Sequence, residues 1–330
     1  FEKDSYAFRI DEDPVAETVE FEEGDLEKIE PLLNHIRTQL ASGDEKIYNF
    51  ILDYFAWILQ NPLRKPGVVL VFTGEKQGIG KGTLTDFLND FVFGTRLSYY
   101  TNKLSDVLAH FNFALWGKRM CLIDETSVKK DDYLTDFDAF KSEITRPTKT
   151  FTKKGKESFE SWSTMFYIIF SNHENIVHIE STDRRYAIIE IPDTVQVPPA
   201  SYFDNLRSTC FNQDCGNLFF SYLLKRPLNF TNLNTQIPET KIKERLKKKS
   251  LPKAYQFIEY VLDNDELETG NISRKDLYTM YKAWAEEEKV KAEGRNSFYE
   301  KMAKKFSLVT VKGVRCFKIV NPKEEIVEDE

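Results

Sequence analysis

The stretch Gly74-Glu75-Lys76-Gln77-Gly78-Ile79-Gly80-Lys81-Gly82-Thr83 brings together the residue types that hold a phosphate: glycines, a lysine and a hydroxyl. Glycines let backbone N–H groups converge on phosphate oxygens, and a helix starting behind them adds positive potential. A lysine at that place reaches the β- and γ-phosphates of a nucleotide, and a hydroxyl helps hold its magnesium. The candidate nucleotide-binding residues are therefore Gly78, Ile79, Gly80, Lys81, Gly82 and Thr83, with ATP and Mg²⁺ as the implied substrate and cofactor. The spacing departs from the usual pattern twice. Glu75 stands where the first glycine is expected, with Gly74 one residue early, and Gly82 stands where Ser or Thr should follow the lysine. Thr83 is the nearest hydroxyl. Taken alone, the stretch also fits an ordinary strand–turn–helix with a surface lysine.

Downstream, Met120-Cys121-Leu122-Ile123 runs into Asp124-Glu125. A buried strand ending in two acids puts carboxylates beside the phosphate loop, at the carboxyl end of a parallel sheet. Asp124 is the candidate magnesium ligand, with Thr83. Glu125 is the candidate base that orients and deprotonates the attacking water. A solvated acidic turn would carry the same pair. A third apolar run, Phe166–Phe170, ends in Ser171-Asn172, where Asn172 could bond the γ-phosphate or the water, or serve only as a turn residue. Thr182-Asp183-Arg184-Arg185-Tyr186 then enters another apolar run. Arg184 or Arg185 could reach the nucleotide of a neighbouring subunit, because a guanidinium stays charged and grips phosphate in two places. A surface ion pair with Asp183 is the plainer alternative.

These groups need a scaffold, and the hydrophobic pattern supplies one. Val68–Phe72 is a continuous apolar run, as expected of a strand buried on both faces. Arg119–Ile123, Met165–Phe170 and Tyr186–Ile191 are further strand candidates, with helices such as Lys81–Asp90 and Leu134–Ile144 between them. Strands alternating with helices imply an α/β fold with a mainly parallel sheet. Ahead of it, Leu26–Leu40 reads as one helix. A second follows from Ile47, Phe50, Ile51, Tyr54, Phe55 and Ile58, closed by Asn61-Pro62. Beyond Ser250-Leu251-Pro252, helices over Ala254–Leu262, Ser273–Lys289 and Asn296–Lys305 precede short strands Leu308–Val311 and Arg315–Val320. That order suggests a winged-helix unit.

The ordered set resembles the superfamily 3 helicases, nearest to the primase-helicases of phages, plasmids and mobile elements. The residues that carry the resemblance are Trp57–Pro62, Lys65–Val68, the Gly-Lys-Gly-Thr loop, Phe111-Asn112, Asp124-Glu125, Ser171-Asn172 and Asp183–Arg185. The resemblance implies an AAA+ P-loop core and a ring of subunits, with six as the expected number. It implies ATP-driven movement on single-stranded DNA, an upstream primase or polymerase domain in the same longer chain, and a place in the cytoplasm of a bacterial host. It assigns phosphate contact to Lys81, magnesium to Asp124, the base to Glu125, the sensor to Asn172 and the finger to Arg184 or Arg185. The expected organisation is an acidic arm and helical region over 1–62, the ATPase core over 63–195, a helical connector over 196–250 and a winged-helix-like domain over 251–330. A nucleotide-controlled DNA-binding or oligomerisation module without unwinding activity remains the alternative, because of Glu75 and Gly82.

DNA contact is expected from Lys141–Lys156, which holds six bases and one acid. Thr148–Phe151 and Ser158–Trp162 read as two strands turning at Lys153-Lys154-Gly155-Lys156, and the family places such a hairpin in the ring channel. Lys153, Lys154 and Lys156 would touch the phosphate backbone without reading sequence; a solvated turn is the alternative. Lys241–Lys249 is a second basic run and reads as a solvated helix face. The net charge of −7 does not exclude nucleic acid, because it is concentrated in an acidic start and finish. Residues 1–24 read as a linker or a loosely docked arm. A chain beginning at Phe1 reads as part of a longer protein. No apolar run reaches membrane-spanning length, and no signal peptide is expected. Four scattered cysteines and His35, His110, His173 and His178 form no metal pattern, and the thiols are expected to be reduced.

Overall fold

The structure, a computed structural model, describes residues 13–125, 133–172, 179–180, 182–264, 266–267 and 269–320. The first half of the acidic arm, His173, His178 and the acidic finish lie outside the described residues. The chain divides into two compact units, residues 1–246 and 247–330.

In the first unit, five strands form one sheet: β1 (Val69–Thr73), β2 (Ser98–Thr101), β3 (Met120–Glu125), β6 (Phe166–Ser171) and β7 (Tyr186–Glu190). Their order is β2-β3-β6-β1-β7, and every neighbouring pair is parallel. A hairpin of β4 (Thr148–Phe151) and β5 (Phe159–Trp162) interrupts the chain ahead of β6. The mainly parallel α/β core expected from the apolar runs is therefore present.

Side chains alternate between the faces of a strand, and the two faces of this sheet face different cores. Leu70, Phe72, Phe166, Ile168 and Phe170 point into one. Val69, Val71, Tyr167, Ile169 and Ile188 point into the other. The first core is closed by α1 (Leu26–His35), α2 (Glu45–Gln60), α3 (Lys81–Leu88), α6 (Ala200–Cys210) and α7 (Gln213–Lys225). The second is closed by α4 (Leu104–Leu108), α5 (Tyr133–Thr145), the hairpin and α8 (Lys241–Ser250). The helices before the sheet and those after it therefore share one hydrophobic core. Tyr54 of α2, fully buried, satisfies its hydroxyl on the carbonyls of Val68 and Tyr167, each at 3.2 Å. Asp44 caps α2 by accepting from the Lys46 and Ile47 N–H groups at 2.8 and 3.1 Å. Residues 36–40, expected to continue the first helix, take a π-helical turn.

The second unit contains α9 (Lys253–Asp263), β8 (Gly270–Ser273), α10 (Arg274–Glu287), α11 (Arg295–Lys305), β9 (Ser307–Val311) and β10 (Val314–Ile319). Its antiparallel sheet has the order β8-β10-β9, which with the three helices is the winged-helix arrangement. Ser273 caps α10 by accepting from the Asp276 N–H at 3.1 Å. Lys312 and Gly313, with φ of 48° and 78°, make the two-residue turn that suits a twisted hairpin. Tyr281 stacks on Phe298 at the centre of the core, with ring centroids 4.6 Å apart.

Candidate functional site

The glycine loop leaves the carboxyl end of β1 and re-enters as α3, the order that points helix N–H groups toward an anion. Gly74 passes so close to β7's end that a Cβ there would stand 2.6 Å from the Ile191 carbonyl oxygen. Gly80 caps α3 in the left-handed region, at φ 85°, which suits glycine above other residues. Lys81 turns back over the loop. Its ammonium donates to the Gly74 carbonyl at 2.9 Å and to Asn172 Oδ1 at 2.5 Å. Burial pulls the Lys81 ammonium below its usual range, and the nearby Asp124 carboxylate opposes that pull.

Register places the other candidates at the same end of the sheet. Thr73 of β1 lies opposite Ser171, the residue before Asn172. Glu125 of β3 is also opposite Ser171, and Asp124 is opposite Phe170. Asp124 is half-buried and accepts from the Tyr100 hydroxyl at 3.3 Å. The Glu125 side chain lies outside the described part of the structure. Lys81, Asn172 and Asp124 are thus brought together across three adjacent strands. This is the carboxyl edge of a parallel sheet, where open α/β folds bind ligands.

The magnesium positions are less regular. Gly82 offers no side chain. Thr83 lies one residue on, about 100° around the helix, and is buried, with its N–H donating to the Gly80 carbonyl at 3.1 Å. Asp86, one turn along α3, brings Oδ2 to 4.0 Å from where a Cβ on Gly82 would stand. Burial, and then the like charge of Asp90, push the Asp86 carboxyl up. Asp124 presents a carboxylate at the same end of the sheet as the loop, and Thr83 follows Gly82 in sequence but is buried.

Arg184 and Arg185 stand elsewhere. The Val69 N–H, at the amino end of β1, donates to the Arg185 carbonyl at 2.8 Å. The glycine loop leaves the opposite end of that strand, about 13 Å away for a five-residue strand. Arg185 pairs with buried Asp183 at 3.3 Å, whose Oδ1 also accepts the Arg185 and Tyr186 N–H groups. Arg184 is exposed.

The β4–β5 hairpin forms where the sequence placed it. Gly155, at φ 75°, allows its turn, which the Lys156 N–H closes on the Lys153 carbonyl at 2.9 Å. Lys153, Lys154 and Lys156 are exposed, and the Lys153 ammonium lies 5.0 Å over the Phe113 ring. The other bases of this run are not all available. Lys149 is buried and bonded to Glu143 at 2.6 Å, and Lys141 pairs with Asp138 and Glu180.

Several contributors leave little trace of their role in the sequence. Asn112 clamps the hairpin, donating to the Thr150 carbonyl and accepting from the Thr152 N–H, both at 3.0 Å. Its only signal was its place in the motif set. Tyr100, exposed beside Asp124, lies on β2, a short strand with no apolar run to reveal it. His35 reaches the loop from α1, bonded to the Gly80 carbonyl at 3.0 Å. No local spacing announces a contact across 45 residues.

Residues 72–185 match a family of unknown function, DUF5906, over a span that holds Gly74–Thr83, Asp124-Glu125, Asn172 and Arg184-Arg185. In sequence the chain is similar to the DNA primase-polymerase of Nitratiruptor phage NrS-1. The two are 30% identical over 161 residues, which make up 48% of this chain and 22% of that protein. In structure it is similar to the NrS-1 C-terminal region in an apo structure, with a TM-score of 0.65 at 18% identity, covering 94% of this chain and 77% of that one. An A-form apo structure of the same region gives a TM-score of 0.62 at 20% identity, with the same coverage. At such identities the structural likeness is one of fold. The resemblance to the phage primase-helicase type, read from the motifs, thus meets a phage primase-polymerase in sequence and that protein's C-terminal region in fold.

Proposed function

We propose that the first unit is an ATP-hydrolysing motor of the helicase or translocase type. It would act on single-stranded DNA as a ring of subunits, within a longer phage-type replication protein. The observation that carries this reading is the meeting of Lys81 with Asn172 and the Gly74 carbonyl over the loop. A cation held there by the chain itself, at the head of a helix, is prepared for the β- and γ-phosphates of ATP. We assign the catalytic core to residues 63–195, with 251–330 as an appended winged helix.

In this reading Lys81 and the loop N–H groups bind and orient the triphosphate. Asn172 positions the γ-phosphate or the attacking water. Glu125, at the end of β3, takes the proton from that water. Asp124, with Thr83 as the hydroxyl to hand, would hold Mg²⁺, which when bound neutralises charge on the phosphates. Arg184, at the far edge of the sheet from its own loop, suits a finger that serves the next subunit's nucleotide. Lys153, Lys154 and Lys156 at the hairpin tip suit the DNA backbone, where lysines neutralise phosphate without reading bases.

ATP turnover with and without single-stranded DNA tests the assignment: hydrolysis that rises with DNA is expected, and a chain that binds no ATP contradicts it. Mixing Arg184→Ala subunits with wild type tests the shared site. Activity should fall faster than the wild-type fraction, whereas proportional dilution would place the arginine's work within its own subunit. A second reading, a nucleotide-controlled DNA-binding or oligomerisation module, is favoured by the bare Gly82 and buried Thr83. Strand displacement on a forked duplex separates the two, since the module would bind ATP and DNA and displace nothing.

A further inference from the structure

We infer that His35 is a positioning residue for the phosphate loop, holding the Gly80–Lys81 peptide so that the Lys81 backbone N–H faces a bound phosphate. The inference rests on the reading that this loop binds nucleotide, and it adds a residue that lies outside the 72–185 family match.

His35 is fully buried at the end of α1. Its Nε2 lies 3.0 Å from the Gly80 carbonyl oxygen, and its Nδ1 lies 3.0 Å from the hydroxyl of Tyr202 on α6. A carbonyl only accepts, so Nε2 must carry a proton. In the neutral imidazole Nδ1 then accepts from Tyr202. Burial favours that neutral form by lowering the pKa of His35. The two bonds therefore fix both the tautomer and the ring plane.

The ring also fills space that only glycine leaves open. A Cβ on Gly80 would stand 2.6 Å from His35 Cε1 and 2.7 Å from a ring carbon of Phe203. Gly80 is thus held in its left-handed conformation by an imidazole and a phenyl ring packed against its α-carbon. In a trans peptide the carbonyl and the next N–H point in opposite directions. The Gly80 carbonyl accepts from His35 and from the Thr83 N–H at 3.1 Å. With the oxygen tied on that side, the Lys81 N–H points out of the helix into the loop, among the unpaired donors that receive an anion. Two helices far from the loop in sequence, α1 and α6, set its orientation.

The test is titration of the full 330-residue chain with a fluorescent, non-hydrolysable ATP analogue and magnesium. Steady-state ATP kinetics are measured on the same proteins. His35→Phe keeps an aromatic ring of similar bulk but loses the donor. We expect its affinity to fall about tenfold, as for a lost buried hydrogen bond, with KM raised and kcat nearly unchanged because His35 touches no reacting atom. His35→Gln carries an amide where Nε2 lies and should recover most of the affinity. His35→Asn reaches only as far as Nδ1 and should behave like the phenylalanine variant. Equal affinity in the Gln and Asn variants overturns the inference, even if His35→Phe does not fold. So does wild-type affinity in His35→Phe. If wild type and Lys81→Ala bind the analogue equally, the nucleotide reading itself fails and this inference goes with it.

Discussion

Lys81 and the hairpin lysines carry the same charge in opposite settings. Lys81 is half-buried, held by two acceptors, and has its ammonium pulled down by burial. Lys153, Lys154 and Lys156 stand exposed on a turn, with the Lys153 ammonium over the Phe113 ring. A cation fixed by partners can meet one ligand group in one geometry. Exposed cations on flexible stems act as a shared field, in which no single member is decisive. Position, and not residue type, therefore separates a lysine fixed for one ligand group from lysines that offer a diffuse charge.

The largest effect should follow from removing the fixed cation. Lys81→Ala should lower ATP turnover by at least about a hundredfold, the scale for losing one preorganised charge-stabilising donor. Thermal unfolding should show the fold intact. If Lys81→Ala merely dilutes activity as a surface lysine would, the contrast collapses.

Replacing Lys153, Lys154 and Lys156 together by Gln should leave DNA-free ATP turnover unchanged and weaken DNA binding. The dependence of log K on log salt should become shallower by about 0.7 for each lost phosphate contact. Each single replacement should cost about a third of the whole. One lysine carrying the full loss would mean that the tip is a built site.

Asn112→Ala removes its two hydrogen bonds to the hairpin, at Thr150 of β4 and at Thr152 just beyond it. It should cost about 1–3 kcal/mol, the scale for leaving buried polar groups unmatched, read from denaturant unfolding. It should also blunt DNA stimulation while leaving ATP affinity alone. A loss of ATP affinity would join the two regions that the comparison separates.

The smallest effect concerns pH. Burial lowers the pKa of His35 from its ordinary 6.5. The unfolded chain therefore binds a proton that the folded chain refuses, and stability falls as pH drops below that ordinary value. It should stop falling for this reason below the folded pKa. Between about pH 7 and about pH 5.5 the wild type should lose more melting temperature than His35→Phe. Equal losses would show that folding leaves the proton affinity of His35 unchanged, and so contradict its burial as a neutral ring.

The carboxyl end of the parallel sheet was largely legible in the sequence. The apolar runs marked β1, β3, β6 and β7, because strands buried on both faces must be continuously apolar. Asp124 and Asn172 follow such runs directly and Lys81 follows one through the loop, so register and the loop's return bring them together. The hairpin was legible from Gly155 and the flanking strand residues. What escaped is what depends on distant parts of the chain. β2 reads Ser-Tyr-Tyr-Thr at the sheet's edge, with no apolar run. The contacts of His35 with Gly80 and Tyr202 join three segments with no shared spacing. Charge counting also overstated the basic run, since Lys149 is spent inside the fold on Glu143. Lys243, in the run over Lys241–Lys249, is likewise buried and paired with Glu239. A sequence counts charges, whereas only packing shows which remain available to a partner.

The most direct measurement is ATP turnover across a titration of single-stranded DNA, run on wild type, Lys81→Ala and the triple hairpin variant. DNA-stimulated turnover is expected in wild type and none in Lys81→Ala at any DNA concentration. The hairpin variant should keep basal turnover and lose the stimulation. Turnover in Lys81→Ala equal to wild type would contradict the assignment, because the loop would then not be where ATP is held.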